Sequence, residues 1–240
     1  MLARRPETRE CLESVEIQIF TVMYDDPRAC GQVATVAAPA GPCDAPRVSN
    51  DICVFAGSRL GTRRDYAAAA IELGRVLARR GHGIVYGGGR VGLMGLLADA
   101  GLEHGTRVTG VIPRALASRE VAHAGLSELF VVGTMHERKA KMAALSRAFI
   151  ALPGGYGTLE ELAEIVTWVQ LGIHQKPLAL LDVSGFWQPY LALLDHFARE
   201  GFVNAEERKL VIHDADPERL VERLAELSVS RPQIASESDL

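Results

Sequence analysis

The sequence predicts an α/β fold, a parallel sheet with helices on both faces, and three observations carry that reading. Short apolar runs alternate with longer stretches of helical periodicity from residue 51 to residue 228;. Glycine-rich turns follow three of those runs directly, at 57–61, 87–95 and 153–157. No repeat or linker interrupts residues 50–228, so they count as one domain;. Strand, turn and helix in that repeated order give parallel strands joined by crossover helices. Ligands of such sheets gather at the carboxyl ends of the strands, near a reversal in strand order. The three turns should therefore converge on one edge.

Taken in order, Ile52, Cys53, Val54 and Phe55 read as a buried strand that runs into Gly57-Ser58-Arg59-Leu60-Gly61. A helix is predicted over 64–80, with Tyr66, Ala70, Leu73 and Leu77 on one face and Gly81 at its end;. Ile84, Val85 and Tyr86 make a second strand, closed by the glycines from 87 to 95. A helix to about 104 comes next, then a strand over 107–112 stopped by Pro113, and a loop with some helix over 114–126;. The strand 129–132 leads into a helix holding Met135, Arg138, Lys139 and Met142. Next come the strand 149–152, a turn, and a helix over 158–172. A strand at 177–181, a helix at 186–199, a short strand at 210–213 and a helix at 217–227 complete the domain.

The ends differ in texture. Residues 15–24 suit a short strand, but Pro27, Gly31, Pro39, Gly41, Pro42 and Pro46 break up the stretch from 27 to 46. Residues 1–48 are expected to be a poorly ordered extension, 49–228 the domain, and 229–240 a loose polar tail;.

Composition excludes several classes of function. A formal charge of −4 and a pI near 6.0 give no general attraction to nucleic acid or anionic membrane;. No apolar run reaches the roughly 18 residues of a membrane span. Glu7, Glu10, Glu13 and Glu16 interrupt any signal-like region behind Arg4 and Arg5;. The cysteines, Cys11, Cys30, Cys43 and Cys53, lack paired metal-ligand spacing, which suits a reduced, cytoplasmic setting;.

The chemistry centres on Pro153-Gly154-Gly155-Tyr156-Gly157-Thr158-Leu159-Glu160-Glu161. Glycines that tolerate positive φ can aim several N–H groups at one spot, and a helix start adds unpaired N–H groups and partial positive charge. That combination suits a phosphate. Gly57 to Gly61 alone is a weak signal, equally well read as a tight turn. The four glycines within 87–92 exceed what turning requires, yet they form neither a P-loop nor a dinucleotide fingerprint;. Arg138 and Lys139 read either as a solvated pair or as contacts to a planar anionic ligand. Glu160 and Glu161 would stabilise a helix start in any case. Glu161, however, is followed at i+4 and i+7 by Ile165 and Trp168, whereas Glu160 is followed by Glu164 and Thr167. Partial desolvation would raise the basicity of Glu161, so it is the better catalytic candidate. Ile165, Trp168, Leu171 and Ile173 form a second apolar stripe that a homodimer would cover;.

Together these residues resemble the Lonely Guy family, the cytokinin riboside 5′-monophosphate phosphoribohydrolases. Residues 153–161 match its P-G-G-x-G-T-x-x-E signature, and Met135-His136-Glu137-Arg138-Lys139 matches a second motif. Tyr86-Gly87-Gly88-Gly89 with Gly92-Leu93-Met94-Gly95 matches a third, and Gly57-Ser58-Arg59 fits its first turn. Residues 167–174 fit the end of the helix after the signature, so the likeness spans about 50–228. The resemblance implies a Rossmann-like doubly wound dimer that hydrolyses a purine nucleoside 5′-monophosphate to free base and ribose 5-phosphate, without metal or organic cofactor. It implies Arg138 and Glu161 as the catalytic pair. Substrate contacts are implied at Glu120, Lys139, Gly154, Gly155, Tyr156, Gly157, Thr158, Leu159, Glu160 and Thr167, with Ser58 and Gly88 from the other turns. Relatives often carry a lysine decarboxylase label, but no lysine here has a pyridoxal-phosphate context. A non-catalytic carrier of a nucleotide-like ligand, such as a molybdenum cofactor, is the rival on the same fold. It would keep the glycine turns without needing both Arg138 and Glu161.

Overall fold

The computed structural model describes residues 50–117 and 122–230. The extension with its expected strand at 15–24, three of the cysteines, Glu120 and the end of the tail lie outside the described residues.

Seven parallel strands form one sheet: β1 (Ile52–Phe55), β2 (Ile84–Tyr86), β3 (Val108–Pro113), β4 (Glu128–Val132), β5 (Ala148–Ala151), β6 (Leu178–Leu181) and β7 (Val211–Asp214). Their order is β4-β3-β2-β1-β5-β6-β7. The chain thus winds outward from β1 to β4, crosses back, and winds the other way from β5. The reversal falls between β1 and β5, where Ile52 pairs with Ala148 and Phe55 with Ala151. Strands at such a centre are covered on both faces, which is why β1 and β5 are apolar throughout and fully buried;.

Helices α1 (Arg64–Arg79), α2 (Gly92–Glu103) and α8 (Pro217–Ser230) cover one face, packing Leu73, Leu77, Leu97, Leu220 and Leu224 against alternate residues of β1 and β5. The other face carries α4 (Met135–Ala144), α5 (Tyr156–Gln170) and α6 (Gln188–Arg199), with Met142, Leu162, Ile165 and Leu191 around Phe55 and Phe149. The short helices α3 (Arg114–Ala117) and α7 (Ala205–Arg208) lie in connections. Helix α7 is absent from the sequence expectation; its signal is the capping box of Asn204 and Glu207;.

Three expectations need correction. Helix α5 begins at Tyr156, because Gly157 can serve in a first turn whose N–H groups need no acceptor;. Helix α8 continues to Ser230, past the expected start of the tail, and the first breaker beyond it in sequence is Pro232;. The second apolar stripe of α5 is filled from within. Ile165 is 2% exposed and Trp168 packs on the core, leaving Leu171 and Ile173 outside at 69% and 63%.

Candidate active site

The loops after β1 and β5 flank the strand reversal and form the walls of a cavity of about 530 Å³. That size suits a small-molecule ligand, for which pockets of roughly 300–1,000 Å³ are usual. The two loops are stitched together: the Gly57 N–H donates to the Pro153 carbonyl at 3.1 Å.

Arg138 and Glu161 meet in this cavity from the N-terminal halves of α4 and α5. Thr134 caps α4, its hydroxyl accepting from the Glu137 N–H at 3.1 Å, and so fixes where the helix starts;. Both charged residues are buried, at 5% and 9% exposure, and Arg138 Nη2 lies 3.9 Å from Glu161 Oε1. That is too long for a hydrogen bond. The guanidinium is only partly satisfied by the chain. Nη2 donates to the Gly87 carbonyl at 3.3 Å, Nη1 reaches only the Met135 sulfur at 3.9 Å, and buried Nε has no hydrogen-bond partner among the described residues. A buried arginine left this way is poised for an acceptor that arrives with a ligand. The glycine at 87 is what admits it, since a Cβ there would stand 1.9 Å from Arg138 Nη2.

The turn between β5 and α5 works differently from the sequence expectation. None of Gly154, Gly155 and Gly157 has positive φ, so left-handed backbone is not why they are glycines. Gly154 allows a close approach, because a Cβ would sit 2.1 Å from Thr158 Oγ1. Gly155 and Gly157 face open space. Gly155 is the N-cap of α5 with no side-chain cap, and the Leu159 N–H is the first to bond back, to the Gly155 carbonyl at 3.0 Å. The N–H groups of Tyr156, Gly157 and Thr158 are left for the cavity, where the helix end is partially positive;.

Ser58, Arg138, Gly154, Gly155, Tyr156, Gly157, Thr158 and Glu161 of the expected set line this cavity. The other described members of the set do not line it. Lys139 is turned along the α4–α5 seam, donating to Glu160 Oε1 at 2.5 Å and pairing with Glu164 Oε2 at 3.0 Å. Burial opposes the charge on Lys139, but the hydrogen bonds to these two carboxylates outweigh it and hold its pKa above the ordinary value;. Gly88 sits beneath the site, its carbonyl accepting from the His123 N–H at 3.1 Å. Leu159 and Thr167 are exposed on the outer face of α5, with the Thr167 hydroxyl donating to the Ala163 carbonyl at 2.8 Å.

Sequence reasoning misses several lining residues, notably Arg59, Tyr66, Met94 and Phe186. Tyr66 and Phe186 meet edge to face at 5.7 Å. The first turn of α1 is tied to the segment after β6 by Ser184 Oγ donating to Asp65 Oδ2 at 2.8 Å, while the Asp182 carboxylate accepts from the Trp187 N–H at 2.7 Å. A usable signal exists for Phe186: it lies just after β6, the strand next to β5, at the ligand-bearing edge;.

The family model described as "possible lysine decarboxylase" matches residues 94–224. A probable cytokinin riboside 5′-monophosphate phosphoribohydrolase of Oryza sativa subsp. japonica is 48% identical over 202 residues, covering 84% of this chain and 88% of that protein. A cytokinin riboside 5′-monophosphate phosphoribohydrolase of Arabidopsis thaliana is 46% identical over 185 residues, 77% of this chain and 86% of that one. Among solved structures, the molybdenum cofactor carrier protein of Chlamydomonas reinhardtii superposes with a TM-score of 0.58 over 76% of this chain and 99% of the carrier. At 21% identity that likeness speaks for the fold alone;.

Proposed function

The chain belongs to the Lonely Guy family of cytokinin riboside 5′-monophosphate phosphoribohydrolases, and from that premise we propose that it hydrolyses the N-glycosidic bond of a cytokinin riboside 5′-monophosphate or a similar purine nucleoside 5′-monophosphate. The products are the free base and ribose 5-phosphate. The observation that carries this reading is the buried, incompletely satisfied Arg138 facing Glu161 in a cavity that also holds an uncapped helix start.

The chemistry grows out of that arrangement. The 5′-phosphate docks on the free N–H groups of Tyr156, Gly157 and Thr158, which supplies binding energy remote from the bond to be broken;. As the bond between C1′ and the base nitrogen lengthens, positive charge grows on the ribose ring. Glu161 is the carboxylate placed to stabilise that charge and to orient the attacking water. The electron pair of the breaking bond leaves with the purine, and Arg138 donates to the departing ring. Water adds its hydroxyl to C1′, and its proton ends on the base. The test is direct: incubate the protein with AMP and with isopentenyladenosine 5′-monophosphate and assay free base and ribose 5-phosphate. Release of both products is expected, and release of neither from either substrate overturns the reading in favour of a carrier.

A pyridoxal-phosphate decarboxylase does not fit these residues. Of the four lysines in the sequence, none lines the cavity. Lys139 is held charged by two carboxylates, Lys141 lies over the Phe130 ring, Lys176 donates to the Ala143 carbonyl, and Lys209 pairs with Glu206. A Schiff-base lysine needs an accessible, deprotonable amine beside the substrate.

We further propose a homodimer in a cytoplasmic setting. Support for the dimer is the outer face of α5, where Tyr156 (93% exposed), Leu159 and Leu171 share one side with Thr167;. Leu159 and Thr167 would then reach substrate from the partner protomer, in line with the family pattern. The L171D/I173D double variant should be monomeric by light scattering where the wild type is dimeric. For location, cysteine usage is the support, with Cys53 a buried free thiol; among the described residues no helix is long and apolar enough to cross a membrane.

A further inference from the structure

A nucleoside 5′-monophosphate brings close to two negative charges into the cavity at neutral pH. The cations around the site are unequally available to meet them. Arg138 faces Glu161 and is held deep against Gly87. Lys139 is claimed by Glu160 and Glu164. Arg63 and Arg64 are exposed and do not line the cavity. Arg59 does line it, and its guanidinium has no ion pair or hydrogen bond among the described residues. Its loop is nonetheless anchored two residues earlier, at Gly57. The loop that carries it is bonded on one side to the Pro153 carbonyl by the Gly57 N–H, and on the other by the Leu93 N–H donating to the Gly57 carbonyl at 3.0 Å. A free planar donor fork on a loop anchored at Gly57, lining the same cavity as the uncapped start of α5, suits bidentate phosphate recognition;.

We propose that Arg59 is a substrate-binding residue that clamps the 5′-phosphate against the first turn of α5 and sets the preference for 5′-monophosphates over nucleosides. This rests on the nucleotide-hydrolase reading above. Helix N–H groups alone offer about half a unit charge; Arg59 adds a full one without the cost of detaching it from a carboxylate.

The test compares wild type, R59A and R59K with AMP as substrate and with inorganic phosphate and adenosine as competing probes. R59A should raise KM for AMP about 10- to 100-fold, as loss of a charged hydrogen-bond pair does, with kcat within about threefold. Inhibition by inorganic phosphate should weaken by a similar factor, inhibition by adenosine should not change, and R59K should recover part of the loss. An unchanged KM overturns the proposal, and so does a variant that loses adenosine and AMP equally. Calorimetric binding of AMP and adenosine to the same proteins reads the contact without turnover. A wild type that binds AMP but releases no ribose 5-phosphate therefore sinks the hydrolase reading, while Arg59 is still decided by the binding ratio.

Discussion

Two sets of opposite charges bridge α4 and α5, built from sequence neighbours, and they are spent in opposite ways. Lys139 with Glu160 and Glu164 is closed, at 2.5 Å and 3.0 Å. Arg138 with Glu161, one residue along on each helix, is open at 3.9 Å although both side chains are more deeply buried than the two glutamates that hold Lys139. A closed set ties two helices together. In the open set the desolvated Arg138 keeps hydrogen-bonding capacity for a ligand, and a buried cation left this way is the costlier arrangement to hold;. The Lys139 set ties α4 to α5 directly beside the open pair.

The contrast is broken most sharply by E161Q, which preserves shape and removes charge. Base release should fall by roughly 10³-fold, the scale of a lost catalytic carboxylate, while AMP binding stays measurable by calorimetry. Unchanged turnover would remove Glu161 from the mechanism. Next in size is G87A. A methyl group 1.9 Å from Arg138 Nη2 forces the guanidinium out of its seat without touching the closed set. A loss of roughly 10²-fold in kcat is expected with little change in melting temperature, because the displaced group faces a cavity rather than a packed core. A third variant, K139M, attacks the lock. It keeps the aliphatic volume and leaves Glu164, whose side chain is 23% exposed, without its cation. About 2 kcal/mol of stability should be lost, less than for a fully buried pair because Glu160 can rehydrate. Since the helices lose their tie, kcat should fall as well, by about tenfold. Denaturant titration and steady-state kinetics on the one sample check both.

How much of this is legible in the sequence depends on the range of the interaction. Strand and helix positions, the edge to which the turns converge, and the burial of Glu161 rather than Glu160 all come from period and local spacing. Such signals are written along a single element. The commitment of Lys139 is not, because it depends on the distance between two helices separated in sequence by β5. Nor is the reason for Gly87 and Gly154, which is room for Arg138 and for Thr158 rather than unusual backbone angles. Tyr66 and Phe186 read as ordinary helix residues until β1, β5 and β6 are set side by side. The apolar stripe through Ile165 and Trp168 is visible in the sequence, and the chain's own core buries Ile165 and packs on Trp168, since periodicity reports that a face is buried and not what buries it;.

The mildest expected effect comes from His174, in the loop that follows α5, and it tests whether fold and chemistry can be separated between the two ends of that helix. The ring stacks on Phe149 at 5.4 Å and lies edge to face with Trp168 at 6.1 Å. Its Nδ1 accepts from the Lys176 N–H at 3.2 Å, and its buried Nε2 has no partner among the described residues. Burial first, and the charge of Lys176 second, lower its pKa from 6.5 to about 4;. The unfolded chain therefore takes up this proton before the folded one does. Stability from His174 is complete above its ordinary pKa of 6.5 and is lost progressively as pH falls towards 4, by about 1 kcal/mol once solvent screening of a partly exposed ring is allowed for;. H174F keeps the stack and removes the titration. The difference in unfolding free energy between wild type and variant should shrink or change sign over that window, in favour of the variant at low pH. Because His174 does not line the cavity, KM for AMP at pH 7 should be the same in both. A pH-independent difference in stability would mean that the ring is not held neutral by its surroundings. A change in KM would mean that the lock between α4 and α5 does not insulate the open pair from the loop that follows α5.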